Sequence, residues 1–482
     1  MLEDIIRERK KKLEYLRSQG IDPYPARVKK TTPIADVLKN FGRLSRSRTA
    51  VTIRGRVRGL RDQGKIMFLE VEDVSGRMQT VARSDALATF ETFRKTLDIG
   101  DFVQVSGTAF LTKRGEKSVD AKTLVLLTKS LRPLPGDFYG LRDEELRLRK
   151  RYVDTLVNPH TRELFVQKAR FWSSVREFLN AADFLEVDTP TLEATPGGAE
   201  AEPFVTHYNA LDEDFYLRIS LEISLKKMLV GGFEKIYEIG RIFRNEGISA
   251  EHLQDYTQCE FYWAYADYTM LMKFVEQMYK SAIKKTFGTA TLTWEGKKIY
   301  WAKPWKTINY VDIFKEKNGI DPLKASRQEL AKKALSLGLS VEPQMGKGRL
   351  IDLIFKKTVR PSLVQPCFLI NPPTVLEPLA KRLPENPDTV QRLQVMACTT
   401  ELGKGFSELN DPLDQRARFE EQAALRAAGD REAQRPDEDF LEALEYGMPP
   451  AAGFGFSERL FAVLADKPIR EIIFFPSMKQ KD

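Results

Sequence analysis

Hydrophobic and polar positions follow two different rhythms along the chain. Between about 50 and 130 they alternate with the period-two pattern of short strands. In VTIRGRVRG, Val51, Ile53, Gly55 and Val57 face one way, and Thr52, Arg54, Arg56 and Arg58 face the other. In IMFLEVEDVSG, Met67, Leu69 and Val71 form a core face opposite Phe68, Glu70 and Glu72. The next strand turns Met78, Thr80 and Ala82 inward and Arg77, Gln79 and Arg83 outward. From about 159 longer elements take over. ELFVQKARFWSSVREFLNAADF reads as a helix, while LEVDTPTL and KIYEIGRIF read as strands. In the strand that follows, Tyr256, Gln258, Glu260 and Tyr262 share one face, and Cys259, Phe261 and Trp263 the other.

These rhythms predict an α+β protein of several domains. Residues 1–45 form a basic amphipathic helical extension with a Pro-broken connection, and 46–135 a small β-barrel. A linker rich in Pro, Gly and charge spans 136–158. A large domain fills 159–482, with a Lys-rich helical insertion near 303–360.

With 482 residues, 42% apolar and 30% charged, the chain has the make-up of a globular protein with a large core. The net charge of +8 matters mainly through its placement, because nine Lys and Arg fall between Arg7 and Lys30. Such an arm suits either a polyanion or a solvated helix face. The barrel's outward arginines and Phe68 suit single-stranded nucleic acid, whose bases stack on rings and whose phosphates meet guanidinium groups; a solvated strand face is the plainer reading. Three cysteines without a CxxC pair fit a reducing cytoplasm. No signal-like segment or apolar run long enough to span a membrane is evident. Three scattered histidines argue against a histidine-based metal site.

The most chemically specific stretch is Phe243–Tyr262, FRNEGISAEHLQDYTQCEFY. A strand, a polar loop and a returning strand would present Arg244, Tyr256 and Glu260 to one pocket. A cation that bridges an acid and a phosphate, a ring for a base and a carboxylate for a cationic substrate suit nucleotide-driven activation of a carboxylic acid.

FLEVDTPTL, GGAEAEPFVTHYNALDEDFYLRI, LVGGFEKIYEIGRIFRNEG, ELGKGFSELNDPLDQ and EYGMPPAAGFGFSERL with IREIIFFP occur in that order behind the barrel and basic helix. Across nearly its whole length the chain resembles the bacterial class II lysyl-tRNA synthetases. The resemblance implies an N-terminal OB-fold that binds the anticodon and a catalytic antiparallel sheet flanked by helices. It further implies a cytoplasmic homodimer formed through the first motif, with Pro190 at the interface. The substrates would be L-lysine, ATP and tRNA(Lys), with Mg²⁺ carried largely by the ATP phosphates.

By the same resemblance, Arg244 and Arg459 are the catalytic arginines. Gly198, Glu222, Arg244, Glu260, Tyr262 and Glu408 take lysine, with Glu222 at the α-ammonium and Glu260 and Glu408 at the ε-ammonium. Arg244, Glu246, His252, Tyr256, Glu401 and Arg459 take ATP. Glu401 is matched as a metal ligand, with Gln394 and Glu408 as further candidates. Phe68 and Gln79 meet the anticodon bases, with Arg61 and Glu116 beside them.

Three positions depart from the family pattern. Gln394 stands where glutamate is usual, Lys404 where asparagine is common, and Glu251 where an arginine usually meets pyrophosphate. Lys404 leaves an aspartyl- or asparaginyl-tRNA synthetase as one alternative. A catalytically dead RNA-binding relative is a second, and an enzyme that lysylates protein a third.

Overall fold

The computed structural model describes residues 2–135, 141, 143–247, 253–343, 345–427, 429 and 435–479. The chain divides into two compact units, Met1–Arg147 and Leu148–Asp482.

The first unit is built on β1 (Ala50–Asp62), β2 (Ile66–Asp73), β3 (Gly76–Arg83), β4 (Phe102–Leu111) and β5 (Lys117–Thr128), closed as a barrel in the order β1-β2-β3-β5-β4. Val51, Ile53, Val57, Met67, Leu69, Val71, Met78 and Ala82 fill its interior, as the alternation predicts. A bulge between Val57 and Gly59 interrupts that alternation. It buries Arg58, which pairs with Glu72 at 2.9 Å, so Arg58 is not the outward cation expected from period two. Arg56 is also committed, donating to the Gly100 carbonyl at 3.0 Å and lying 4.2 Å from the Phe102 ring centre.

The helix Leu2–Ser18 packs on the barrel through Leu16. Arg9 donates to the carbonyls of Ile99, Ser130 and Arg132 at 3.0–3.2 Å, and Lys12 meets Asp98 at 2.7 Å. Two of the arm's cations therefore anchor the helix, while Arg7, Lys10, Lys11 and Arg17 remain exposed.

In the second unit the strands run, in chain order, β6 (Leu185–Glu186), β7 (Leu192–Glu193), β8 (Val205–Tyr208), β9 (Glu213–Leu217), β10 (Lys235–Phe243), β11 (Asp255–Ala264), β12 (Thr291–Trp294), β13 (Lys297–Tyr300), β14 (Lys306–Asn309), β15 (Cys367–Ile370), β16 (Arg382–Leu383), β17 (Asn386–Val390), β18 (Arg392–Ala397), β19 (Thr400–Ser407) and β20 (Ala451–Ser457). Eight of them form one sheet in the order β14-β15-β18-β19-β20-β11-β10-β6. Its six central strands are antiparallel, and the outermost pairs at both edges are parallel. Three helices, Tyr310–Asn318, Arg327–Ser336 and Lys347–Thr358, lie between β14 and β15 and share a core around Phe314, Leu330, Leu350 and Ile354.

One sheet face carries Cys259, Phe261, Leu393, Val395, Phe454 and Phe456, which pack with residues of helices Pro159–Ala181 and Tyr268–Phe287. Asp267 starts the second helix by accepting the N–H groups of Thr269 and Met270, both at 2.9 Å. The other face carries Ile236, Tyr262 and Phe406 under helices Glu222–Val230 and Glu438–Glu445. Register puts Gln394, Lys404, Gly455, Glu260 and Glu238 in one row across β18, β19, β20, β11 and β10.

LEVDTPTL is not one strand. Its last backbone bond to β10 is from the Val187 N–H to the Tyr237 carbonyl at 2.9 Å, and only the two-residue β6 and β7 form at its ends. Pro190 has no N–H to give a ladder, and Thr189 bonds the Glu238 carboxylate through its N–H at 3.0 Å and its hydroxyl at 2.7 Å.

Candidate active site and nucleic-acid face

Glu260 is the hub of the polar sheet face. Its carboxylate accepts from Ser220 Oγ at 2.9 Å, the Leu221 N–H at 3.0 Å, Gln258 Nε2 at 2.6 Å and Tyr262 Oη at 3.0 Å. The Leu221 bond places this carboxylate at the start of helix Glu222–Val230, where the helix dipole favours a negative charge. Glu222 is the first residue of that helix, and Lys226 lies one turn on. The Lys226 ammonium sits 2.6 Å from Glu222 and 2.5 Å from Glu408, fully enclosed, with the rings of Phe406 and Phe440 5.2 and 5.9 Å away.

Space above the sheet is kept open by glycine. A side chain at Gly453 would collide with the Tyr262 ring and Glu408. Gly198, at φ +80°, lies so close that a Cβ would stand 2.9 Å from that of Glu222. Glu222, Glu260, Tyr262, Glu408 and Gly198 are thus brought together.

The electrostatics follow from two carboxyls enclosed around one lysine, with Glu260 beside them. Burial favours neutral Lys226, but Glu222 and Glu408 outweigh it and hold the ammonium charged, with its pKa raised. Burial pushes the Glu408 carboxyl up to about 8, and Glu222 and Glu260 add to that against the pull of Lys226. Glu222 is raised for the same leading reason.

Following β11 back from Tyr262 to Tyr256 leads to the cationic end. Arg244, just beyond β10, donates from Nε and Nη2 to the Ile219 carbonyl, both at 3.2 Å, and its guanidinium carbon lies 5.8 Å from the Tyr256 ring centre. Burial raises the Tyr256 hydroxyl pKa, while Arg244 and Arg459 pull it down. Arg459 opens the helix Arg459–Leu464, and its N–H donates to Ser457 Oγ at 3.3 Å. Glu246 lies close by on the chain, and its carbonyl accepts from Gln254 at 3.2 Å. His252 and Glu251 lie outside the described residues.

On β18 and β19 a second network forms. Arg392 donates to Glu377 at 2.5 Å and to Gln394 Oε1 at 2.9 Å; Gln394 Nε2 donates to Glu401; Lys404 reaches Glu377 at 3.2 Å. Burial pushes the Glu401 carboxyl up, but Lys404, Arg459 and Arg392 outweigh it and leave its pKa lowered.

Residues 143–479 match the family model for class II tRNA synthetases (D, K and N), and 51–127 match that for the OB-fold nucleic acid binding domain. The chain is 46% identical to a lysine--tRNA ligase of Moorella thermoacetica, over 99% of this chain and 98% of that one. It is 44% identical to one of Carboxydothermus hydrogenoformans, over 100% and 99% of the two chains. A third, from Roseiflexus sp. strain RS-1, is 43% identical over the full length of both. The chain belongs to the class II tRNA synthetases, in the lysine--tRNA ligase family.

On the synthetase's OB-fold, Arg61, Phe68 and Gln79 lie together. Arg61 is paired with Phe68 in register, its guanidinium carbon is 5.6 Å from the ring centre, and it donates to Gln79 at 3.3 Å. Gln79 in turn donates to Ser118 Oγ at 2.8 Å, and Glu116 is exposed two residues before Ser118.

Lys226, Arg392 and Glu377 are not among the residues that the sequence patterns single out. Glu222 and Lys226 have the i,i+4 spacing of a helical ion pair, which was the one available signal; their burial was not legible. Lys404 turns to Glu377 rather than to Glu408.

The metal candidates fit in part. Glu401 can offer an oxygen to an ion held on phosphates. The Glu408 carboxylate meets Lys226. Both ends of the Gln394 amide are engaged, the oxygen by Arg392 and the N–H group by Glu401. Among the described residues no three His, Cys, Asp or Glu side chains are grouped to hold a metal ion.

Proposed function

We propose that this sheet face activates L-lysine with ATP, and that the lysyl-adenylate formed there is passed to the terminal adenosine of tRNA(Lys). The observation that carries this reading is the polarity along β11. Three carboxyls gather at the Tyr262 end, and two arginines and a tyrosine ring at the Tyr256 end.

Lysine's ε-ammonium would be received by Glu260 and Glu408 with Tyr262, and its α-ammonium by Glu222 beside Gly198. An ammonium is stable in such an enclosure only when paired, so neutral side chains are rejected. Arg244 would hold the substrate carboxylate against the α-phosphate, Arg459 would lie along the phosphates, and Tyr256 would stack on adenine. Glu246 and His252 would complete the ATP site. A carboxylate oxygen attacks the α-phosphorus and pyrophosphate leaves; the tRNA hydroxyl then attacks the carbonyl and AMP leaves. The chain's part is to align the reactants and stabilise the developing charge. Mg²⁺ bound with ATP would supply further neutralisation, with Glu401 as its protein oxygen.

Arg61, Phe68 and Gln79, with Glu116, would take the anticodon, the ring stacking on a base. A homodimer through the Pro190 segment is consistent with the exposure of Pro190, Leu185 and Leu192. No helix among the described residues is long and apolar enough to cross a membrane; a cytoplasmic place fits the role in translation.

The test is ATP–pyrophosphate exchange across all twenty amino acids. Exchange with lysine alone is expected. Exchange driven by aspartate or asparagine, or by none of the twenty, would overturn the reading.

A further inference from the structure

Arg392, Gln394, Glu401 and Lys404 lie on adjacent strands, and Gln394 stands directly opposite Lys404. An arginine can only donate, so Arg392 fixes the Gln394 amide with its oxygen turned away from Glu401 and its N–H toward it. The amide therefore turns a hydrogen and not its carbonyl oxygen toward Glu401, so it adds no second oxygen beside that carboxylate for a metal ion. A hard divalent ion seeks several oxygens, yet of the two carboxylates in this corner Glu377 is taken by Arg392 and Lys404, which leaves Glu401.

Lys404 is the most exposed member of that group. Its side chain is 43% exposed, whereas Glu377 is 8% exposed and also holds Arg392. If the lysine leaves Glu377, that carboxylate keeps Arg392 as its partner. The ammonium can thus turn to another anion without abandoning a buried charge.

We propose that Lys404, backed by Arg392, takes the place of one divalent ion between ATP and the protein, its ammonium meeting phosphate oxygen directly. This rests on the assignment of ATP to Arg244, Glu401 and Arg459. The synthetase would then need fewer metal ions per active site than one with a carboxylate at 394 and a neutral side chain at 404.

The experiment counts bound Mn²⁺ by electron paramagnetic resonance on the full-length protein, saturated with lysine and a non-hydrolysable ATP analogue. The expected result is one Mn²⁺ fewer per site in the wild type than in the Gln394→Glu/Lys404→Asn double variant. A second measurement titrates the analogue in EDTA by calorimetry. Lys404→Met should weaken metal-free binding about tenfold, some 1.4 kcal/mol, while Lys404→Arg retains it. Equal Mn²⁺ counts, or metal-free binding indifferent to Lys404→Met, would overturn the proposal. Arg459→Ala separates the two layers. If it binds the analogue as well as the wild type does, the ATP assignment fails and the proposal falls with it. If it loses the analogue while the Mn²⁺ counts are equal, only the proposal fails.

Discussion

Lys226 meets Glu408 at 2.5 Å where neither side chain has more than 1% of its surface exposed. The same ammonium also holds Glu222, so an internal lysine neutralises two of the carboxyls assigned to the substrate lysine.

Replacing Lys226 with Met should leave Glu222 and Glu408 enclosed without their counter-ion. Breaking a buried pair of this kind costs about 3–5 kcal/mol, to be read from urea denaturation. The KM for lysine should rise while the KM for ATP stays within about twofold, because the altered charge lies beside the ammonium subsites. A variant with unchanged KM for both substrates would show that Lys226 only supports the fold.

Lysine binding should release a proton near neutral pH. Burial pushes the Glu408 carboxyl pKa up to about 8 against the pull of Lys226, and an arriving ammonium favours its carboxylate form. Affinity should accordingly increase as pH is raised from 6 toward 8. Calorimetry in buffers of different ionisation enthalpy would count the proton. The unliganded fold has the opposite slope. A folded pKa above the ordinary value of about 4 gives stability that is complete below that value and is lost as pH rises through about 8.

Glu260→Gln should impair lysine use far more than ATP binding. The substitution removes a charge and offers an N–H where Ser220, Leu221, Gln258 and Tyr262 all donate to the carboxylate. A loss of about a hundredfold in lysine affinity, some 2.7 kcal/mol, is expected from an interaction of this strength. Equal losses for both ligands would refute the assigned role.

Phe68→Ala should raise the KM for tRNA about tenfold or more, the worth of one stacked base, and leave ATP–pyrophosphate exchange untouched. A fall in exchange would mean that the ring does something other than meet the anticodon.

The basic arm can be tested without dismantling the barrel. Deleting the helix Leu2–Ser18 removes Arg9 and Lys12, which anchor it. Changing Arg7, Lys10, Lys11 and Arg17 to Gln spares those anchors. That variant should bind tRNA more weakly and with a shallower salt dependence. An unchanged slope in a salt titration would exclude the arm from the tRNA surface.

The sheet faces were legible because period two is a local property. Glu260 and Tyr262 could be set against Cys259 and Phe261 from the string alone, and the barrel core likewise. Arg58 was misplaced because a bulge shifts the period without any mark in VTIRGRVRG. LEVDTPTL was over-read because Thr189 spends its N–H on Glu238, a residue about fifty positions away. Lys226 and the Glu377–Arg392–Lys404 group escaped for a related reason. A lysine in LEISLKK looks like any solvated helix lysine until distant strands close over it.

The row Gln394–Lys404–Gly455–Glu260–Glu238 makes the site unequally tolerant of two kinds of change. Substitutions act one column at a time, so the metal-facing corner can drift while the ammonium pocket stays intact. An inserted or deleted residue within β19 or β20 would turn the following side chains to the opposite face. Phosphate and ammonium ends would then fail together, so the site tolerates an exchanged side chain better than a change in strand length.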